Sequence, residues 1–441
     1  MNFTNSLLVI FVCFVLLSCH TQQKIQSNIQ INHSANQDTL LASPDLNGAH
    51  IGFVVYDPSN KKFLYNYQGD KYFIPASNIK IVTCYTAMKF LGDSLLGLRY
   101  VVKPDSTVEV EANGDPTFLH PDFINQPAYN FLKKQKTILL TDDNWKSKGW
   151  GMGWSWDDYE SDYMTQRSIM PIYGNVVHFN KYSRPTTAPL YFQKLLDIGA
   201  GINNGMFEIK RDIGANRFSA VPSTTIFEGE DIPFYTGDQE LLINLLEDTL
   251  HNKVSPVHFK IDRYPDVVKI YTQPTDSMLK IMMHRSDNFF AEQSLLMVSN
   301  ELLAEMSTSK IIDSLLKTTF SFLPQKPKWV DGSGLSRYNL FTPEDFVAIL
   351  NKMKEDFAWD RITNILASGG SGTLGNYYKN SSGKIYAKTG SLSNNVALSG
   401  YLITKAGNTL TFSVLVSNYT GNGSNIRRSV ERFLNYVMDN Q

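Results

Sequence analysis

Residues 75–91 read Pro75-Ala76-Ser77-Asn78-Ile79-Lys80, followed by the apolar run Ile81-Val82-Thr83-Cys84-Tyr85-Thr86-Ala87-Met88-Lys89-Phe90-Leu91. Proline and a small residue end an extended segment, and Ser77 stands where a helix begins, a position that suits serine as a cap. A helix start carries partial positive charge that favours a developing anion. Lys80 lies three residues on and shares a helix face with Ser77. A hydroxyl needs a base within hydrogen-bond reach to attack at neutral pH, and a lysine held neutral is such a base. Serine-x-x-lysine also occurs at Ser59…Lys62, Ser307…Lys310 and Ser381…Lys384, so the spacing alone does not single out a site.

On the N-terminal side, His50 to Tyr56 and Lys61 to Tyr67 alternate apolar with polar or aromatic residues around the turn Asp57-Pro58-Ser59-Asn60, which predicts a hairpin. On the other side the character changes near Val101. Many short apolar segments and aromatics follow, without a sustained helical period, and residues 101–264 read as a mostly-β inserted domain. Its cluster Trp150-Gly151-Met152-Gly153-Trp154-Ser155-Trp156-Asp157-Asp158 reads as packing of a loop-rich region rather than as a sugar-stacking surface. The pattern turns helical from Thr275 through Met306, with Ser286-Asp287-Asn288 near its middle. Thr342-Pro343-Glu344-Asp345 opens another helix with cap, proline and acids in order. Ile385 to Lys388 is a short strand, Val396 to Thr404 and Thr409 to Asn418 a hairpin, and Ser424 to Met438 an amphipathic helix. Two strands early and three late, with helices between, predict an α+β fold. Its core is an antiparallel five-stranded sheet flanked by helices, formed by residues 46–100 and 265–441.

The 441 residues carry 42% hydrophobic and 19% charged side chains, ordinary values for a globular protein. The net charge is -1 with no long basic run, which argues against nucleic acid as a partner. Leu7 to Leu17 is apolar but short for a membrane span, and Leu16-Leu17-Ser18-Cys19 resembles the lipobox of bacterial lipoproteins, although no Lys or Arg precedes it. Residues 1–19 therefore read as a lipoprotein signal, with Cys19 lipidated and holding the chain to a membrane, facing the periplasm. Residues 20–45 read as a flexible tether. With Cys13 removed and Cys19 acylated, Cys84 is alone, so no intrachain disulfide is expected, and Cys84 reads as a small core residue.

Three short signals stand in order: Ser77-x-x-Lys80, Ser286-Asp287-Asn288 and Lys388-Thr389-Gly390. Together, on a helix start, a helical segment and an edge strand, they are far more specific than any one alone. With Gly114-Asp115-Pro116-Thr117, Gly153-Trp154-Ser155-Trp156-Asp157-Asp158, Asp331-Gly332-Ser333-Gly334-Leu335-Ser336-Arg337, Gly372-Thr373-Leu374 and Ala387-Lys388-Thr389-Gly390-Ser391-Leu392, the chain resembles the penicillin-recognising serine enzymes. Within them it is similar to the D-alanyl-D-alanine carboxypeptidase/endopeptidase family of low-molecular-mass penicillin-binding proteins, with a β-lactamase/transpeptidase-like catalytic domain. The resemblance implies cleavage of D-alanyl-D-alanine bonds in peptidoglycan stem peptides, covalent inhibition by β-lactams, and no cofactor or metal. It implies Ser77 as nucleophile, Lys80 as its base, Ser286 as a proton relay, and Asn288 as a positioning group. Lys388 and Thr389 would hold the substrate carboxylate beside Gly390, and the backbone N–H groups of Ser77 and Ser391 would form the oxyanion hole. Lys388, with burial, would lower the Lys80 pKa.

The alternatives are a serine β-lactamase-like hydrolase and a non-catalytic cell-wall binding lipoprotein. The Glu-x-x-x-Asn of the glutamate-dependent lactamases occurs only at Glu240…Asn244, ahead of the Ser-Asp-Asn segment. The histidines are scattered, with no His-Glu-x-x-His, and Gly-x-Ser-x-Gly is absent, which speaks against metallopeptidase and α/β-hydrolase chemistry.

Overall fold

The alternating segments near the two ends of the chain meet in one sheet. His50–Asp57 pairs with Lys62–Tyr67 through a turn in which Asp57 Oδ1 accepts the Ser59 N–H at 2.9 Å. Asn395–Ile403 pairs with Thr409–Ser417, and Thr409–Ser417 pairs antiparallel with His50–Asp57, so that Val54 lies opposite Ser413. The structure, a computed structural model, describes residues 40–180, 185–199, 208–221, 229–237 and 239–441. Ile385–Leu392 pairs with Asn395–Ile403 as expected. The sheet has six strands, not five. The two-residue strand Ala367–Ser368 adds to its edge opposite Ala387 and Tyr386, too short to show a period in the sequence.

Both faces of this sheet are buried. Val414 and Val416 pack with Phe433, Leu434 and Val437 of the closing helix Gly423–Asn440, while Leu415, between them, faces the helices Ile79–Phe90 and Pro343–Asp356. Alternation puts successive side chains on opposite faces, and with both faces apolar the polarity pattern alone does not hold the register. Ser399 and Ser413 lie directly opposite each other, and their buried hydroxyls bond at 2.8 Å. A slip would separate them at a cost of about 1–3 kcal/mol for each unsatisfied group.

The helical stretch from Thr275 is broken. Thr275–Arg285 ends with Ser286 in a left-handed conformation (φ 63°), and Asp287 then caps Asn288–Leu303 by accepting the Phe290 N–H at 2.9 Å. The sequence read one helix because its apolar residues continue across the break. This second helix, the central helix, is buried from Phe289 through Asn300 and separates two cores. One surrounds the helix that carries Lys80. The other holds Val108, Ile138, Phe179 and Phe218 together with Leu296 and Met306.

That second core lies on a five-stranded sheet in the order Lys253–Pro256, Thr137–Thr141, Val108–Ala112, Ser94–Val102, Val268–Pro274. Two three-stranded sheets and the helices Pro127–Leu132 and Gln239–Leu250 also belong to the region. Residues 40–45 do not behave as tether. Leu40 and Leu46 are buried, and Ser43 Oγ lies 2.9 Å from Ser429 Oγ of the closing helix. The proposed signal and Cys19 lie outside the described residues. Cys84 is a free, buried core thiol.

Candidate active site

Ser77 lies in the single turn Ala76–Asn78 that leads into Ile79–Phe90. Its hydroxyl does not cap the helix. It faces Lys80, whose Nζ donates to Ser77 Oγ at 3.0 Å. The wholly buried Lys80 amine also donates to Asn288 Oδ1 at 2.6 Å and to the Ser333 carbonyl at 2.7 Å. Burial lowers its pKa to about 8, against the pull of Asp287, Asp331 and Glu292. An amine so placed is able to exchange a proton with the hydroxyl beside it near neutral pH.

The loop of residues 331–337, which comes after the helix Thr308–Lys317, is locked against both neighbours. Asp331 accepts the N–H groups of Gly334 and Ser336, the Asn339 amide and the Trp154 indole. Gly334 has φ 88°, and a Cβ there would lie 1.9 Å from the Ala76 carbonyl oxygen, so only glycine lets the loop touch the serine turn. Trp154 is thus a packing residue, as the sequence suggests, whereas Trp156 stays 70% exposed.

The third signal runs along the other side. Asn78 Nδ2 donates to the Lys388 carbonyl at 2.9 Å, and a Cβ on Gly390 would meet the Pro75 carbonyl at 2.8 Å. Strand Ala367–Ser368 covers only Tyr386 and Ala387, so from Lys388 onward that edge of the strand has no strand partner among the described residues. Lys388 is buried, with its Nζ donating to the Thr389 carbonyl at 2.8 Å. Its own burial and the charge of Lys80 push its pKa well below the usual lysine range. The sequence predicts that burial and the Lys388 charge together lower the Lys80 pKa. Burial is the main cause at both amines, and the repulsion between Lys80 and Lys388 adds to it at Lys388. Thr389 is half-buried, and the exposed Ser391 hydroxyl accepts from Arg427 at 2.6 Å.

Ser77, Lys80 and Asn288 are therefore joined by direct bonds, and Lys388 lies close enough to feel the Lys80 charge. Ser286 is not bonded to them. It is half-buried and lines a cleft of about 320 Å³ with Asn288, Tyr163 and Arg285.

A model of the D-Ala-D-Ala carboxypeptidase 3 (S13) family matches residues 33–190 and 249–437. The chain belongs to that family. It is a serine-type D-Ala-D-Ala carboxypeptidase, a low-molecular-mass penicillin-binding protein of the bacterial cell envelope. The D-alanyl-D-alanine carboxypeptidase of Actinomadura sp. (strain R39) is 25% identical over 87% of this chain and 80% of its own length. Carboxypeptidase DacB of Mycolicibacterium smegmatis is 31% identical over 35% of this chain and 36% of its own. The crystal structure of penicillin-binding protein 4 from Haemophilus influenzae shares the fold, with a TM-score of 0.70 at 18% identity. The match covers 92% of this chain and 100% of that one.

Sequence reasoning on this S13 chain missed four groups around the lysine: the Ser333 carbonyl, Glu292, Arg167 and the Tyr163 carbonyl, which accepts from Asn288 Nδ2 at 2.9 Å. Glu292 alone had a local signal, since it lies one helical turn after Asn288 and shares its face. Among the described residues no helix is long and apolar enough to cross a membrane.

Proposed function

We propose that Ser77 attacks the carbonyl of the terminal D-alanyl-D-alanine bond of a peptidoglycan stem peptide and forms an acyl-enzyme that water resolves. The observation that carries this reading is the 3.0 Å contact between the Ser77 hydroxyl and a fully buried amine with a pKa of about 8. Neutral Lys80 takes the Ser77 proton, and Ser286, at the cleft wall, passes a proton to the leaving amine. Asn288 holds Lys80 and the substrate amide. Lys388 and Thr389 bind the terminal carboxylate, whose charge favours the protonated form of Lys388. The oxyanion hole is the N–H pair of Ser77 and Ser391, and each such donor contributes about 2.7–4 kcal/mol to transition-state stabilisation. Gly390 allows the strand to approach the serine turn closely enough for this.

The same site cuts D-alanyl cross-links, and β-lactams acylate Ser77 in place of the peptide. Residues 46–100 and 265–441 are assigned to the catalytic domain and 101–264 to an inserted domain, whose five-stranded sheet takes in Ser94–Val102 and Val268–Pro274 from the flanking chain. Cys19 anchors the chain through a lipid, supported by Leu16-Leu17-Ser18-Cys19. The test is digestion of purified muropeptides with mass analysis of the products. Loss of one alanine from pentapeptides is expected, together with severed cross-linked dimers. Pentapeptides left intact by a protein with a native fold would contradict the reading.

A further inference from the structure

Arg167 comes from the chain between the two parts of the main sheet, yet it ends beside the catalytic lysine's support. It is 4% exposed. Its Nε donates to the Lys148 carbonyl at 3.0 Å and its Nη2 to the Trp150 carbonyl at 2.7 Å. Its Nη1 donates to Thr308 Oγ1 at 2.9 Å and lies 3.4 Å from Glu292 Oε2. The guanidinium sits over the Trp154 ring. Glu292, fully buried on the central helix, accepts the Ser333 N–H at 2.8 Å through its other oxygen, and the Ser333 carbonyl accepts from Lys80 Nζ at 2.7 Å. Four buried groups thus run from the insertion to the amine.

We propose that Glu292, held by Arg167, is a positioning residue of the acyl-transfer reaction: it fixes Ser333 against Lys80, and its charge sets the pH range in which Lys80 can take the Ser77 proton. This rests on the reading of Lys80 as the base. A neutral acceptor would satisfy the Ser333 N–H equally well, so hydrogen bonding alone gives no reason to bury a carboxylate there. Lys80 faces Asp287 and Glu292 from the central helix, Asp331 from the loop, and Lys388 from the strand. Glu292 faces Asp331, which disfavours its charge, and Arg167, which favours it. With burial, its pKa rises to about 7. Arg167 therefore acts on Lys80 by way of Glu292.

The test is the pH profile of covalent labelling of the full chain by a fluorescent penicillin. Glu292→Gln keeps the acceptor and removes the charge, so the Lys80 amine loses its proton more readily. The acid limb of the profile is expected to move down by about one pH unit. The single variant leaves Arg167 buried and unpaired, so Glu292→Gln with Arg167→Gln is made beside it, and the same downward move is expected. In the unaltered protein, protonation of Glu292 lowers the pKa of Lys80, so the limb is expected to fall less steeply than a one-proton curve. An unmoved limb in either folded variant, or a one-proton limb in the unaltered protein, overturns the proposal. Labelling that persists in Ser77→Ala would instead remove the underlying reading of the base.

Discussion

The Lys80 amine sits between three acceptors, Ser77 Oγ, Asn288 Oδ1 and the Ser333 carbonyl, and is deprived of water. Burial favours the neutral amine, whereas the charges of Asp287, Asp331 and Glu292 favour the ammonium, and the balance lies at about 8. The sign for activity follows. Below that value the amine holds its proton and cannot accept another, so the acylation rate is expected to rise with pH and level off above about 8. Lys80→Met fills the same space without a base, and its labelling by penicillin is expected to fall by about 10²–10⁴-fold. A variant that labels at the wild-type rate would show that another group takes the Ser77 proton. Ser77 and Lys80 were legible in the sequence because their relation is local, one helical turn. Glu292 left only the faint local signal of its spacing from Asn288, and Arg167 left none, because it pairs with Glu292 across 125 positions and the two meet only when the chain folds.

Local chemistry decides how well each element could be read. Thr342 and Asp345 form a reciprocal cap at the start of Pro343–Asp356, with N–H to side-chain distances of 3.1 and 3.0 Å, and the motif was plain in the sequence. Thr342→Ala is expected to lower unfolding free energy by about 1 kcal/mol in urea titration while leaving Ser77 labelling unchanged. The break at Ser286 was hidden because serine replaces the glycine that usually marks a left-handed helix end. Gly334 tests the fit between loop and serine turn. Gly334→Ala places a methyl in the Ala76 carbonyl and strains a positive φ. The turn must shift, and an acylation loss on the order of 10²-fold is expected from the misplaced nucleophile. A Gly334→Ala protein that acylates normally would show that the contact is not needed to place Ser77.

Early and late segments of the described chain meet in one sheet, since His50–Asp57 lies beside Thr409–Ser417. This closure was legible because two strand-like segments precede the helices and three follow them, each hairpin bounded by turn residues such as Asp57-Pro58-Ser59-Asn60 and Lys405-Ala406-Gly407-Asn408. Their partner Ala367–Ser368 was not, being only two residues. Residues 101–264 do not stand apart energetically. Leu296 and Met306 of the following chain belong to the same core as Val108 and Phe218, and Tyr163 and Arg167 reach the groups around Lys80. Excision of residues 103–264 is expected to give insoluble protein, because it uncovers these apolar side chains. Soluble, penicillin-labelled protein from that deletion would show that the catalytic part is self-sufficient.

The most direct measurement is to locate the penicillin adduct by mass spectrometry of proteolytic peptides from the intact chain and from Ser77→Ala. One added penicillin is predicted on the peptide containing Ser77, and none on the variant. An adduct on another peptide, or one that persists after Ser77→Ala, would contradict the account.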